Sequence, residues 1–367
     1  MSRARFLSFL ILLPTLASMA NAQRNELITA VRKGDARSVN ALIDAKADVN
    51  AVEDGRTALM WVSGGLPVER HADIVRMLID AGADVNAVDN QLGSTALMWA
   101  SGDGYTDIVR MLIDAKADVN AVEHDRMQTG AIVRVGTALI YAAKAGHADV
   151  VRMLIDAKAD VNAAEHDGWT ALMHAADEGH ADVVRMLIDA KADVNAENYY
   201  CCKTALILAA MRGYPDVVRK LIDAKANMRT KDKHGVTPLG AACMEGHTDV
   251  VRMLIDAKAD VNAAESNGFT ALMYASWYGH TDIVRMLIDA KANLNAADKD
   301  GKTALMLASD GILVGGEARG HTDIVRMLID AKANLNAADK DGKTALMGAA
   351  DKGYTDIVWM LKEAEAK

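Results

Sequence analysis

The sequence predicts an all-α repeat solenoid, about ten helix pairs joined by β-hairpin-like turns. Three observations carry that prediction. The block Arg-Met-Leu-Ile-Asp-Ala-Lys-Ala-Asp-Val-Asn-Ala occurs letter for letter from Arg110, Arg152, Arg185 and Arg252, with close variants from Arg76, Arg285 and Arg326. A second block, Thr-Ala-Leu-Met and its relatives, lies upstream of each; its threonines (Thr57, Thr95, Thr137, Thr170, Thr204, Thr237, Thr270, Thr303 and Thr344) recur at a base spacing of 33 residues. Within both blocks the apolar residues fall at helical spacing. A unit this short cannot bury its apolar face alone, so neighbours must stack into a continuous core.

Each element follows from its residues, and the unit at Thr170 serves for all. Thr170 caps a first helix by accepting a backbone N–H. Ala171 to Glu178 continue it, with Leu172, Ala175 and Ala176 on one face. Gly179 stops it. Asp182 lies in the first turn of a second helix, where a carboxylate suits the positive dipole end. Val183, Val184, Leu187 and Ile188 make the apolar face of that helix. Ala192 to Ala196 is extended and leads into a tight turn of the kind seen at Asp167-Gly168, Asn267-Gly268, Asp300-Gly301 and Asp341-Gly342. The methionines at Met77, Met111, Met153, Met186, Met253, Met286 and Met327 are expected to fill the core. The Arg before each faces an Asp four positions on, as Arg76 and Asp80, forming a solvated charge row. Insertions lengthen three units near 64–70, 124–135 and 310–320, and Ala131 to Val135 reads as a hairpin extension.

These units resemble the ankyrin repeat over almost all of Gln23 to Lys367. Thr237-Pro238-Leu239 opens a first helix as the family consensus does. Gly179-His180, Gly246-His247 and Gly279-His280 match the Gly-His before the second helix, and Gly82 to Ala87 match the closing Gly-Ala-Asp-Val-Asn-Ala. The resemblance implies an ankyrin-repeat stack with a capping repeat at 23–56, eight repeats over 57–343 and a capping repeat at 344–367. Asn40 and Ala41, where later units have Arg and Met, give the first cap a different outer face. Two departures stand out. Met60, Met98, Met173, Met273, Met306 and Met347 replace a consensus His, so these units rely more on apolar contact. Lys46, Lys116, Lys158, Lys191, Lys225, Lys258, Lys291 and Lys332 replace the Gly that ends the second helix. If that position is left-handed, each Lys costs about 1 kcal/mol relative to Gly.

Residues 1–22 read as a cleavable signal peptide. Arg3 and Arg5 form the basic region, Phe6 to Leu13 the apolar one, and Ala20-Asn21-Ala22 the cleavage site. Export to the periplasm or secretion is the expectation, with a mature chain starting near Gln23 and no stable membrane insertion. Losing Arg3 and Arg5 makes the net charge of −9 more negative still, and the interspersed signs argue against a nucleic-acid partner. The three cysteines give no disulfide framework. Cys201 and Cys202 are adjacent in a turn. Cys243 falls where other units carry Ala143, Ala176, Ala210 or Ser276, and is expected to be buried.

No catalytic constellation, cofactor motif or metal-ligand spacing is present. His71, His147, His180, His247, His280 and His321 share one repeat position with Tyr105, Tyr214 and Tyr354, which points to a structural role. Gly64-Gly65 and Gly315-Gly316 lack the Lys-Ser/Thr of a phosphate loop. The residues that vary while the framework repeats are the candidate partner contacts. In the turns these are Arg56, Gln91, His166, Trp169, Tyr199, Tyr200, Lys233, Val236, Phe269 and Lys302. At the ends of first helices they are Asp103, Lys144, Glu178, Arg212, Glu245, Trp277 and Tyr278. A further position, four after each Thr, carries Trp61, Trp99, Tyr141, His174, Leu208 and Tyr274, with half-buried rings expected. The resemblance places turns and first helices on the concave side. Exposed Trp, Tyr and Arg are the residue types that most often anchor interfaces. The expected function is a monomeric, non-enzymatic scaffold that binds another protein through that face. The alternatives are a structural or self-associating cell-envelope protein, or an accessory or inhibitor of an exported enzyme.

Overall fold

The computed structural model describes residues 26–64, 71–126, 132–314 and 317–366. Residues 1–22, read above as a signal peptide, most of the 64–70 insertion and the tips of the other two lie outside the described residues. The first helix of each pair is α1 (26–32), α3 (Ala58–Ser63), α5 (Ala96–Gly102), α7 (Ala138–Ala145), α9 (Ala171–Asp177), α11 (Ala205–Arg212), α13 (Pro238–Glu245), α15 (Ala271–Tyr278), α17 (Ala304–Asp310) and α19 (Ala345–Asp351). The second helices are α2 (Ala36–Asp44), α4 (His71–Asp80), α6 (Thr106–Asp114), α8 (Ala148–Asp156), α10 (Ala181–Asp189), α12 (Pro215–Asp223), α14 (Thr248–Asp256), α16 (Thr281–Asp289), α18 (Thr322–Asp330) and α20 (Thr355–Glu365). Two-stranded antiparallel pairs are β1 (Val52–Glu53) with β2 (Arg56–Thr57), β3 (Glu123–Arg126) with β4 (Ile132–Gly136), and β5 (Ile312–Val314) with β6 (Glu317–Arg319). The β3–β4 ribbon is the anticipated extension. The β5–β6 ribbon, inserted between α17 and α18, was not anticipated: its short strands carry no strong alternation.

The chain forms two compact units. One contains the residues up to Ala175 with Asp189–Ala192; the other contains Ala176–Ile188 and Asp193–Lys367. In the first unit, α3, α5 and α7 pack side by side as one layer and α2, α4, α6 and α8 as a second. In the second unit the layers are α11, α13, α15, α17 and α19, and α12, α14, α16, α18 and α20. The core lies between the layers. Each second helix from α4 to α18 contributes a buried triplet, such as Ile74, Val75 and Leu78, or Val250, Val251 and Leu254, while α2 buries Val39 and α20 buries Ile357 and Leu361. The methionine stripe departs from expectation. Met77, Met111, Met153, Met186, Met253, Met286 and Met327 are only half-buried. Each precedes the core Leu by one residue, about 100° around the helix, and so lies on the flank. The core methionines are instead Met60, Met98, Met173, Met273 and Met306 of the first helices.

Both helix starts follow from the repeat chemistry. Each cap threonine accepts the N–H three residues on, as Thr137 from Ile140 at 3.3 Å and Thr237 from Gly240 at 3.1 Å. The second helices have no side-chain cap at His147, His247, His280 or His321. An aspartate in the first turn complements the dipole there. Those imidazoles are used across repeats. Nε2 of His147, His247, His280 and His321 lies 2.9–3.2 Å from the carbonyl oxygens of Gly102, Met211, Met244 and Trp277. The left-handed Gly104, Gly179, Gly213, Gly246 and Gly279 before second helices also lie under the next repeat's ring: a Cβ on Gly213 would come within 2.4 Å of His247, and one on Gly279 within 2.5 Å of His321. On the outer face, the described ion pairs run from Arg152 to Asp149 and from Arg185 to Asp182, three residues back rather than four forward, and both are largely exposed. Pairs of this kind add a few tenths of a kcal/mol at most.

All eight lysines that replace Gly are left-handed, with φ between 63° and 71°. Each sits in a Schellman loop: in the α6 unit, Lys116 N–H donates to Ile113 and Ala117 N–H to Leu112. The loop exposes groups that the preceding repeat uses. Asn86 Oδ1 accepts from Asp118 N–H at 2.7 Å while its Nδ2 donates to Lys116 O at 3.4 Å. Asn50 does the same for Asp84 and Gly82, and Asn120 for Asp160 and Lys158. In the second unit Asn195, Asn262 and Asn295 each accept from the equivalent N–H of the next repeat at 2.7 Å.

Lys116→Gly is expected to stabilise the chain by about 1 kcal/mol, and Gly82→Ala to destabilise it by a similar amount. A Cβ at Gly82 meets nothing within 4 Å, so conformational strain is its sole cost. Asn86→Ala is expected to cost about 1–2 kcal/mol by removing both bridging bonds. Urea unfolding of the three variants beside wild type measures each sign.

Candidate functional site

The variable side chains rise from the turns and the first helices. A turn begins with a carboxylate or Asn that organises its backbone. Asp232 accepts from His234 and Val236, Asp298 from Asp300 and Lys302, and Asp339 from Asp341 and Lys343, all at 2.8–3.0 Å. Asp89 accepts from Gln91, Leu92 and Gly93. Burial alone would raise its carboxyl, but these N–H donors and Ser94 hold it below the usual carboxylate range. Successive turns are joined through backbone bonds, including Asn90 N–H to Gly55 O and Lys299 N–H to Asn267 O.

Four turns carry Glu in this place, at Glu53, Glu123, Glu165 and Glu265, and in the last three the side chain turns inward to a ring four residues after the cap Thr. Tyr141 O–H and Ser94 O–H both donate to Glu123. His174 Nε2 lies 3.2 Å from Glu165 Oε1. Tyr274 O–H donates to Glu265 Oε2 at 2.6 Å. With Glu occupied, the turn N–H is taken by a neighbour: Asp167 accepts from Trp169, and Asn267 from Phe269. The partner position of the shorter Asp is apolar or small at Ala241, Leu307 and Gly348. This pairing of Glu with Tyr or His was readable in the aligned units, and comparing the two columns reveals it.

In the first unit, rings and cations alternate. The Arg32 guanidinium carbon lies 4.8 Å from the Trp61 ring centroid. Arg56 lies 5.1 Å from Trp61 and 4.4 Å from Trp99. Beyond Trp99 opens a cleft of about 350 Å³ lined by Ser94, Met98, Trp99, Gly102, Asp103, Glu123 and Tyr141. In the second unit, Phe269 lies 5.1 Å from Tyr274 and 5.7 Å from Trp277, which lies 5.5 Å from Tyr278. Glu265 adjoins this cluster. Its Oε1 is buried without a partner, 3.7 Å from where a Cβ on Gly240 would lie. Burial, and secondarily Asp232, raise the Glu265 carboxyl; burial likewise raises the Tyr274 hydroxyl.

The candidate contacts are spread along both units rather than gathered at one point. Gln91, Asp103, Lys144, His166, Glu178, Tyr199, Tyr200, Arg212, Lys233, Glu245 and Tyr278 are exposed, while Arg56, Trp169, Phe269, Trp277 and Lys302 are half-buried. Tyr199 and Tyr200, at 70% and 62% exposure, stand furthest out. Trp169 packs on His174 with ring centroids 4.8 Å apart. Arg212 makes a bidentate pair with Asp177 of the preceding repeat, and Lys302 pairs with Asp310 at 3.3 Å. Val236 is a correction: it is buried, its Cγ1 3.6 Å from where a Cβ on Gly240 would lie. The position four after the cap Thr packs into the core in three units, with His174, Leu208 and Tyr274 at 8% or less. Cys243 is fully buried and burial pushes its thiol up, whereas Cys201 and Cys202 are partly exposed. Among the described residues no group of three His, Cys, Asp or Glu is arranged for a metal, and no helix is long and apolar enough to cross a membrane.

The Glu265 carboxyl is raised in the folded state, so its contribution is present at pH below its unfolded value and is lost as pH rises through the folded one. The stability of wild type relative to Glu265→Gln should therefore fall as pH is raised from about 4 upward. Urea midpoints of both proteins across that range test it; a constant difference contradicts the assignment.

A family description of ankyrin repeats, in copies of three, matches residues 27–123, 124–198, 206–298, 259–317 and 291–367. No curated protein matches the chain. Ankyrin repeats are in general protein–protein interaction modules, and proteins built from them are typically non-enzymatic scaffolds. The Thr caps, the left-handed helix ends, the Asn bridges and the matched residues together place this chain in the ankyrin-repeat family.

Proposed function

We propose that this chain is an exported, non-enzymatic scaffold that binds a partner protein through the face formed by its turns and first helices. The observation that carries this reading is where the exposed aromatics lie. In a framework repeated almost letter for letter, Tyr199 and Tyr200 project from a turn and Tyr278 from the end of α15. The second helices before α20 present Arg and Asp outward instead, and α20 is the exception, with Trp359 exposed. Large amphipathic rings on a preorganised backbone lose little ordering entropy on binding, which suits them as anchors. The basic, apolar and small-residue order of residues 3–22 supports export to the periplasm or secretion.

A Tyr199→Ser, Tyr200→Ser, Tyr278→Ser triple variant is expected to fold as wild type and to lose at least about tenfold in affinity for a partner captured from the exported fraction. Unchanged capture contradicts the proposed face. Export has its own measurement. N-terminal sequencing of the protein recovered outside the cytoplasm is expected to begin near Gln23, and retention of the Met1 terminus in the cytoplasm contradicts it.

A further inference from the structure

The asparagine bridges are interrupted once in the second unit. Asn195 and Asn262 each accept an N–H from the next repeat's helix-end loop, but the same position between them is Arg229. The N–H that an asparagine there would meet belongs to Asp260, the counterpart of Asp118. Among the described residues that N–H has no acceptor, and the exposed Arg229 guanidinium has no partner. Both residues line a cavity of about 350 Å³, together with Lys231, Leu239 and Asn262. Lys231 Nζ donates to Ala264 O at 2.7 Å, which holds the ammonium in place with two N–H groups to spare. The carboxylates nearby are engaged. Asp260 Oδ1 accepts from Asn262 N–H at 3.0 Å, and Asp232 Oδ1 from His234 and Val236 N–H. Glu265, whose carboxyl Lys231 influences, is turned inward to Tyr274. In an acidic chain, Arg229, Lys231 and Lys233 gather positive charge on one short segment, which runs on into the turn of the proposed face.

We propose that this interruption receives a carboxylate, the acidic side chain of a partner protein. The inference rests on the partner-binding reading above and specifies one contact within it. The chain itself shows what the loop N–H accepts. At the bridged loops it meets a planar carboxamide oxygen, 2.7 Å from Asp118 N–H and 2.8 Å from Asp160 N–H. A carboxylate offers the same kind of oxygen to Asp260 N–H and a second one to Arg229. Bonds of this charge-assisted kind are roughly twice as strong as neutral ones. The planar guanidinium fork matches a carboxylate, and the Lys231 ammonium adds a second positive charge at the same cavity.

The probe is the peptide acetyl-Gly-Gly-Glu-Gly-Gly-amide, titrated at constant ionic strength into the full chain labelled at its backbone amides and followed by NMR. The expected result is a saturable, millimolar shift of the Asp260 amide signal, with the bridged Asp118 amide unmoved and the matching Gln peptide without effect. Arg229→Asn restores the residue found at this position in neighbouring repeats. It is expected to raise the urea midpoint and to weaken the response at least about tenfold. Lys231→Gln is expected to weaken it about threefold. No saturable shift in wild type, an equal response to the Gln peptide or to inorganic phosphate, or a full response in Arg229→Asn overturns the assignment. Failure here is distinguishable from failure of the broader reading. A Glu-peptide response alongside partner capture insensitive to the tyrosine triple variant upholds the carboxylate contact and removes the proposed face; the reverse pattern removes the contact alone.

Discussion

Successive repeats are tied together by an asparagine side chain that reads the end of the next repeat's second helix. Asn86 needs both an N–H at Asp118 and a carbonyl at Lys116, on opposite sides of one short loop. A helix end presents that pair when the chain reverses through a left-handed residue, which frees the groups while the Schellman bonds close the helix. The conformation is thus demanded by the neighbour as well as by the helix itself. Such a bridge is seen at the loops of Lys116, Lys158, Lys225, Lys291 and Lys332; Lys46, in the first pair, and Lys258, which follows Arg229 at the Asn position, are left-handed through their helix-end bonds. The strain at each lysine, about 1 kcal/mol, is offset by the helix-end bonds and the buried Ala that follows, as at Ala159 and Ala192, and where an Asn bridge is present by that bridge as well.

With register fixed at the outer edge, the layers beneath can repeat the same packing. The second helix contributes three buried aliphatics, and the first helix contributes Ala, Leu and Met to the same core. Histidine at the start of the second helix supplies a second inter-repeat bond, from its ring to a first-helix carbonyl, and the Gly beneath must lack a side chain for the ring to approach. These contacts involve residues that scarcely vary, so they account for the stack and leave the specific chemistry to other positions. The specialised positions depend on small changes of length. Replacing Asp by Glu at a turn moves the carboxylate from the turn backbone to a ring on the first helix, as with Glu265 and Tyr274. Replacing Asn by the longer Arg229 removes the bridge to the next loop at Asp260.

Much of the framework was legible in the sequence because its causes are local. Thr before an apolar run, Gly after it and Asp in the next first turn define the helix pairs through hydrogen bonds and dipoles within a few residues. Burial was legible where the helical period is unambiguous, as at Val183, Val184 and Leu187. It was misread where one position lies on the margin of a face: Met186 was expected in the core and lies on the flank, and Val236 was expected outside and is buried. The candidate contacts were legible only as positions, since variation marks where a side chain is free to differ and is silent on what it touches.

The sequence by itself determined the repeat, its period, its caps and the family to which the chain belongs, because identical units repeat identical local physics. Tertiary structure decided the rest. That the left-handed loop at Lys116 would be bridged by Asn86, 30 residues upstream, depended on stacking. The joining of Arg56, Trp61 and Trp99 into a ladder depended on stacking that brings residues of different repeats within 4–5 Å. The physical reason is that capping energies act within one turn of helix, whereas the bridges, the ladder and the cleft exist only once one repeat has been laid against the next.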